Sequence, residues 1–314
     1  MSFESLIGHN SIKNQISKAI KADKLSHAHL LVGEDGIGKS RLARNIGYKI
    51  LGKTKDIQYV DLVEWHVEKN KSTIGVSSIR TLIEEINKKP YEGDKKVIII
   101  YNVDKMTTQA QNAFLKTIEE PPKNVTILLL CENIEVVLDT IKSRCQIHKL
   151  KSLNIVEMKE FLHINYVNLS IEEIEVIVAF SDGIPGKAER FIGDSNFKDI
   201  RNIALEILLV LNKVGTEGLI RYEKKLSSQK DNFNEILSVF LSYIRDTIIY
   251  KEIEEDTIII NIDKLLSIKE LANTFSFNKL NGIINIISET RENLDRNVNP
   301  GLTFQVMLLK MQEV

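Results

Sequence analysis

Apolar residues over the first 150 positions alternate between two spacings. Ile12, Ile16 and Ile20 fall four apart, which puts them on one face of a helix predicted over Asn10–Ala22. The run Ala28–Val32 is short and continuously apolar, as a strand buried on both faces would be. A helix over Lys39–Ile50 follows, then a strand within Tyr59–Trp65 and a helix from about Ser77 to Lys88. Val97–Val103 is the most apolar β-branched run and predicts a central parallel strand. Thr108–Glu120 reads as a helix stopped by Pro121-Pro122, with further strands in Val125–Cys131 and Cys145–Leu150. Strands alternating with helices imply right-handed crossovers and a mostly parallel sheet covered on both sides.

Beyond residue 151 the strand signals stop. Ile155–His163, Ile171–Phe180 and Gly186–Ile192 read as three short helices, with Ser170 as a cap and Asp182-Gly183 as a turn. From Lys198 onward the pattern is that of longer amphipathic helices. Phe233, Ile236, Leu237, Phe240, Leu241, Ile244 and Ile248 make the clearest stripe, and a final helix over Leu302–Met311 follows Asn299-Pro300-Gly301. The expected class is therefore α/β plus all-α, in three parts: an α/β domain over 1–150, a three-helix unit over 151–196 and a helical domain over 197–314.

Composition narrows this picture without redirecting it. Of 314 residues, 43% are hydrophobic and 27% charged, an ordinary globular composition that favours neither a disordered nor a fibrous class. A net charge of -1 argues against a dedicated basic nucleic-acid module, and pairs such as Lys88-Lys89 and Lys95-Lys96 read as solvated turn residues. No apolar run is long enough for a bilayer and no export signal opens the chain, so a cytoplasmic protein with no membrane partner is expected. Cys131 and Cys145 read as two buried thiols. With the six histidines scattered, no metal site built from side chains is expected.

The chemistry concentrates in Gly33-Glu34-Asp35-Gly36-Ile37-Gly38-Lys39-Ser40, which fits G-x-x-x-x-G-K-S without a mismatch. Glycines at 33, 36 and 38 let backbone N–H groups, including that of Ile37, converge on phosphate oxygens, and the following helix adds its positive end. Lys39 would reach the β and γ phosphates and Ser40 would bind Mg²⁺, making ATP or ADP the expected ligand. Hydrolysis also needs a carboxylate to organise the metal. At the end of the Val97–Val103 run stand Tyr101 and Asn102 instead, and Asp104 is the nearest acid. Asp104 reads either as a turn or capping residue or, in a shifted register, as a distorted metal ligand.

The glycine loop, the stretch Asn112–Pro122 (NAFLKTIEEPP) and Ser143-Arg144-Cys145 together resemble the AAA+ clamp-loader ATPases, and most of all the delta-prime subunits of bacterial DNA polymerase III. Gly183-Ile184-Pro185-Gly186-Lys187-Ala188 looks like that family's lid motif, and Asn297-Val298-Asn299-Pro300 before an apolar helix looks like its collar end. The resemblance implies a phosphate-loop sheet domain, a helical lid and a helical collar. It also implies a hetero-oligomer with gamma/tau and delta subunits that acts on a sliding clamp and primer-template DNA.

By position, Arg144, flanked by Ser143 and Cys145, is implied to be an arginine finger reaching a neighbour's γ-phosphate. The alternative is an arginine closing an internal salt bridge. Gly186 stands where an active ATPase of the family would carry a sensing arginine, and the zinc-binding cysteines of many relatives are missing around Leu51–Tyr59. Ser77, Ser78 and Arg80 open a helix whose counterpart tracks the primer-template backbone; a capped surface helix with Arg80 paired to Glu84 is the alternative. The expectation is a non-hydrolysing stator. The rivals are a self-sufficient gamma-like ATPase using Lys39, Ser40 and Asp104, and another AAA+ adaptor such as a helicase loader.

Overall fold

Five strands form one sheet in which every pairing is parallel, in the order β2-β3-β4-β1-β5. They are β1 (Ala28–Val32), β2 (Leu62–Trp65), β3 (Lys96–Ile100), β4 (Val125–Cys131) and β5 (Gln146–Lys149). This computed structural model describes residues 3, 6–55, 57–67, 72–193, 195–228, 232–255, 258–296 and 298–314. Asn297 of the collar-end motif lies outside them. The chain divides into two compact units, Met1–Val167 with Ser181–Lys187, and Asn168–Phe180 with Ala188–Val314.

In the first unit the strand side chains alternate between two apolar faces. Leu31, Val97, Ile99, Leu128 and Leu130 pack with Ile16 of α1 (Asn10–Lys21) and with Leu42, Ala43 and Ile46 of α2 (Lys39–Ile50). Leu30, Ile98, Ile100, Ile127 and Leu129 pack instead with Ile79, Leu82 and Ile86 of α3 (Val76–Asn87) and with Ala110, Phe114 and Ile118 of α4 (Thr108–Glu119). Helices on both faces explain why these strands are continuous apolar runs rather than alternating ones. A short α5 (Asp139–Lys142) precedes β5, and α6 (Ile155–Asn165) follows it, opened by a capping box in which Asn154 and Glu157 exchange bonds.

Several boundaries differ from the sequence reading for local reasons. The central strand ends at Ile100, not Val103, because Asn102 turns into the left-handed region (φ 53) and opens a 3-10 turn over Val103–Lys105. The strand sought in Tyr59–Trp65 is confined to Leu62–Trp65, the length over which it pairs with β3. Lys96 is not a solvated turn residue. It begins β3 at 1% exposure, and its ammonium is satisfied by the Glu85 carboxylate at 2.8 Å and the Glu85 carbonyl at 2.7 Å.

The second unit is helical: α7 (Ile171–Phe180), the greater part of α8 (Pro185–Gly193), α9 (Ser195–Val210), α10 (Thr216–Ser227), α11 (Phe233–Ile253), α12 (Leu265–Thr274), α13 (Phe277–Asp295) and α14 (Pro300–Glu313). Phe240, Tyr243 and Ile244 of α11 share a core with Leu280, Ile283 and Ile287 of α13 and Phe304, Met307 and Leu308 of α14. The last helix starts two residues earlier than Leu302. Proline is compatible with a helix's first turn, and the Asn299 side chain caps it by accepting from the Leu302 N–H at 3.1 Å.

Candidate functional site

The glycine loop leaves the carboxyl end of β1, where the chain order across the sheet reverses: β2, β3 and β4 lie on one side of β1 and β5 on the other. Ligands of open α/β sheets bind at this position. Gly36 (φ 78) and Gly38 (φ 104) both hold left-handed backbone, which a side chain would oppose. Gly38 is also the N-cap of α2, and no side chain caps that helix. Its first-turn N–H groups therefore remain available to an anion. Lys39 lies folded onto the loop, its ammonium donating to the carbonyls of Gly33 at 2.7 Å and Glu34 at 2.8 Å. Burial lowers its pKa, opposed by the charges of Glu132, Asp35, Cys131 and Asp104. The loop thus fits a phosphate chain in both its backbone and its cation.

The acid position is built differently. The Tyr101 hydroxyl donates to Glu64 Oε2 at 2.6 Å, and Arg44 clamps the same carboxylate through Nε at 2.9 Å and NH2 at 2.8 Å. The His66 ring stacks on Tyr101 with centroids 4.0 Å apart. Burial alone would raise the Glu64 carboxyl, but bonds from Arg44 and Tyr101, with the charges of Arg44 and His66, bring it below its ordinary value. Burial and the bond to Glu64 in turn push the Tyr101 phenol up. The carboxylate on β2 is committed to an internal ion pair. Asp104 accepts from the Glu132 N–H at 3.2 Å and so ties the 3-10 turn to the end of β4.

The lid motif settles onto the loop through backbone. The Gly186 N–H donates to the Gly36 carbonyl at 2.9 Å, and a Cβ placed on Gly186 would stand 2.5 Å from the Gly36 Cα. A longer side chain at 186, such as a sensing arginine, has no room in this arrangement. Lys187 turns away to Asp182 at 3.0 Å. On the opposite flank the His9 Nε2–H donates to the Ile37 carbonyl at 3.2 Å. Burial lowers the His9 pKa and so favours the neutral ring, while the bond to Ile37 opposes it.

Ser143, Arg144 and Cys145 occupy the turn between α5 and β5. Because β1 and β5 are parallel, with Val32 opposite Lys149, this turn and the phosphate loop lie at opposite ends of adjacent strands. The four residues of β5 lie between them, on the order of 10 Å of strand rise. The Arg144 side chain is 36% exposed and closes an ion pair with Glu119, the last residue of α4. Cys131 is buried and Cys145 half-buried rather than fully covered; burial pushes both thiols up to about 12. At the start of α3, Ser77 and Arg80 are exposed whereas Ser78 turns inward at 9% exposure. Of the three candidates, only Ser77 and Arg80 therefore face outward.

Comparison with known proteins agrees with this architecture. A family described as DNA polymerase III, delta subunit, matches residues 8–154, and one described as DNA polymerase III, delta subunit, C terminal, matches residues 195–313. The chain belongs to the clamp-loader subunit family of DNA polymerase III. Within that family, a delta-prime subunit from Buchnera aphidicola subsp. Baizongia pistaciae (strain Bp) is 28% identical over 92% of this chain and 90% of its own length. The delta-prime subunit of Bacillus subtilis (strain 168) is 25% identical over 94% and 93%. A gamma subunit from the same Buchnera strain is 26% identical over 79% of this chain and 76% of its own.

The clamp-loader motifs were local enough to read from sequence; their supports were not. His9, Glu64, Arg44 and Glu132 carried no motif of their own. Glu119 lies within the Asn112–Pro122 stretch that carried the resemblance, but nothing there pointed to its pairing with Arg144.

Proposed function

We propose that this chain is the delta-prime-type stator of a clamp loader, which lends Arg144 to a neighbour's ATP site and does not hydrolyse ATP itself. The observation that carries this reading is the separation of the two chemistries. Arg144 sits at the opposite end of the sheet from the chain's own phosphate loop, so it cannot serve that loop, yet its guanidinium is exposed. A permanently charged planar guanidinium supplied across an interface offsets the charge that develops on a transferring phosphoryl group.

The chain's own pocket would hold ATP or ADP through the N–H groups of Gly36 to Ser40 and the Lys39 ammonium. A Mg²⁺ ion on Ser40 would supply charge neutralisation at the phosphates. The pocket has no comparable means of driving hydrolysis: Tyr101 and Asn102 stand at the acid position, Glu64 is neutralised by Arg44, and Gly186 leaves no space for a sensing arginine. In this reading residues 1–150 form the nucleotide-binding-like domain, 151–196 the lid and 197–314 the collar that joins gamma/tau and delta subunits. The assembled cytoplasmic complex acts on the sliding clamp and primer-template DNA, with Ser77 and Arg80 facing the backbone.

Substituting Arg144→Ala in a reconstituted loader tests this. DNA-stimulated ATP turnover should fall while the subunits still co-elute. Normal turnover in the assembled mutant would remove the finger. One observation favours the gamma-like alternative, namely the carboxylates of Glu132 and Asp104 near Lys39. Lys39-dependent phosphate release by the purified chain would establish it. Co-purification with a replicative helicase instead of loader subunits would favour the adaptor reading.

A further inference from the structure

Glu119 is the last residue of α4, followed by the C-cap Glu120 and then Pro121-Pro122. A carboxylate there faces the negative end of the helix dipole, so local helix preference gives no reason for it. A cation opposite does give a reason. Arg144 donates through Nε to Glu119 Oε1 at 2.6 Å, and its NH2 meets the same oxygen. The NH1 group is held from the other side by the Thr140 carbonyl at 2.9 Å and, more loosely, the Ser143 hydroxyl at 3.3 Å. A guanidinium has five N–H groups. One lies on Glu119 through Nε and one through NH2, and two on Thr140 and Ser143. The fifth, on NH2, remains for an incoming oxygen, and the long Ser143 contact is the readiest to exchange.

We propose that Glu119 is the positioning residue of Arg144: it grips the guanidinium along its Nε edge and so aims the terminal N–H groups before any neighbour arrives. The proposal rests on the trans role of Arg144 given above and adds the residue that orients it. A flexible arginine recruited at docking loses rotamer freedom at that moment, whereas one already held by a carboxylate and a carbonyl has lost most of it beforehand. Glu119 touches neither substrate nor phosphate. Its effect therefore passes through Arg144 alone.

The test uses the assembled loader carrying Glu119→Ala, Glu119→Gln or Arg144→Ala, and the double variant Glu119→Ala/Arg144→Ala. Glu119→Ala should lower kcat for DNA-stimulated ATP hydrolysis about fivefold with KM for ATP unchanged, the scale of losing one partly exposed charge pair. Glu119→Gln, which keeps an acceptor oxygen, should recover most of that loss. In the Arg144→Ala background, Glu119→Ala should add nothing. An equal further loss in that background would make Glu119 merely structural and overturn the proposal, as would normal kcat in Glu119→Ala beside an impaired Arg144→Ala. If Arg144→Ala itself turns over normally, it is the finger that fails. The grip can be read separately by NMR in the isolated chain. Besides the Arg44 Nε–H held by Glu64, a second arginine Nε–H should exchange slowly in the wild type, exchange rapidly in Glu119→Ala and vanish in Arg144→Ala, which assigns it. A wild type in which the Nε–H lost in Arg144→Ala is unprotected would refute the pairing.

Discussion

The phosphate loop and the arginine turn are attached to neighbouring strands, β1 and β5, yet they are held in opposite ways. The loop is fastened through its own backbone carbonyls: Gly36 accepts from the Gly186 N–H, Ile37 from the His9 ring, and Gly33 and Glu34 from the Lys39 ammonium. The Arg144 side chain is fastened by partly exposed contacts, chiefly the ion pair with Glu119. Backbone clasps fix a shape whatever binds there. An exposed ion pair contributes little stability, but it fixes where a charge points. In the proposed reading this difference separates an intact nucleotide motif from the chain's working chemistry, which sits at the far end of the same sheet.

The largest test bears on what joins the two regions. His29 on β1 and His148 on β5 are buried against each other, Nδ1 to Nε2 at 3.0 Å, while the His29 Nε2–H donates to the Ser26 carbonyl at 2.9 Å. In the neutral pair His29 accepts through Nδ1 from the His148 Nε2–H. Burial, with the His148 charge, pushes the His29 pKa down to about 4 from 6.5. The unfolded chain takes up the proton first, so this contribution is complete above pH 6.5 and is lost as pH falls towards 4. The loss should approach about 3 kcal/mol. Urea unfolding of the chain at pH 7 and pH 4.5 measures it, and His29→Gln should flatten the difference. A wild-type midpoint independent of pH would disconnect the pair from stability.

Next in size is Gly186→Ala. Its Cβ would press on the Gly36 Cα, so the lid turn must lift from the loop, at a cost of about 2 kcal/mol. Thermal unfolding should register the loss; an unchanged midpoint would mean the backbone clasp is not what holds the loop. Third, Arg144→Ala should lower the assembled loader's ATP turnover about tenfold, or about 1.4 kcal/mol. Lys39→Ala in this chain should lower it less than twofold. Reversal of that ranking would break the comparison outright. Smallest is Arg80→Ala, expected to weaken primer-template binding about threefold and to shallow its salt dependence by about one charge. Ser78→Ala, being inward-facing, should leave binding unchanged in the same titration.

Legibility followed distance along the chain. The phosphate loop could be read whole because its strand, glycines, lysine and helix are consecutive. The central strand could be placed from its β-branched run, although its end could not, since Asn102 leaves the extended region without any proline or glycine to mark the spot. The ion pair of Arg144 was open between a trans and an internal role. The internal partner exists, 25 residues back at Glu119, and the exposure of the arginine leaves the trans role its own test. In the helical unit, the amphipathic stripe of α11 announced a core but gave no sign of Asp246, which is fully buried. Asp246 accepts from the Asn261 N–H at 2.7 Å and side chain at 2.8 Å, and Arg201 joins the same cluster through Asn261 and Asp263.

What the amino-acid order determined alone was the alternation of strands and helices, the glycine nest and the presence of Tyr101 and Asn102 where an acid pair is expected, because each is written in neighbouring residues and in the period of apolar positions. The tertiary structure decided which partner each charge received: Glu64 for Arg44 and Tyr101, Glu119 for Arg144, Gly36 for Gly186. Those pairings depend on strand order and helix placement, which bring together groups tens of residues apart. Hydrophobic pattern fixes which face a residue turns to, whereas an ion pair needs two faces to arrive at the same few ångströms.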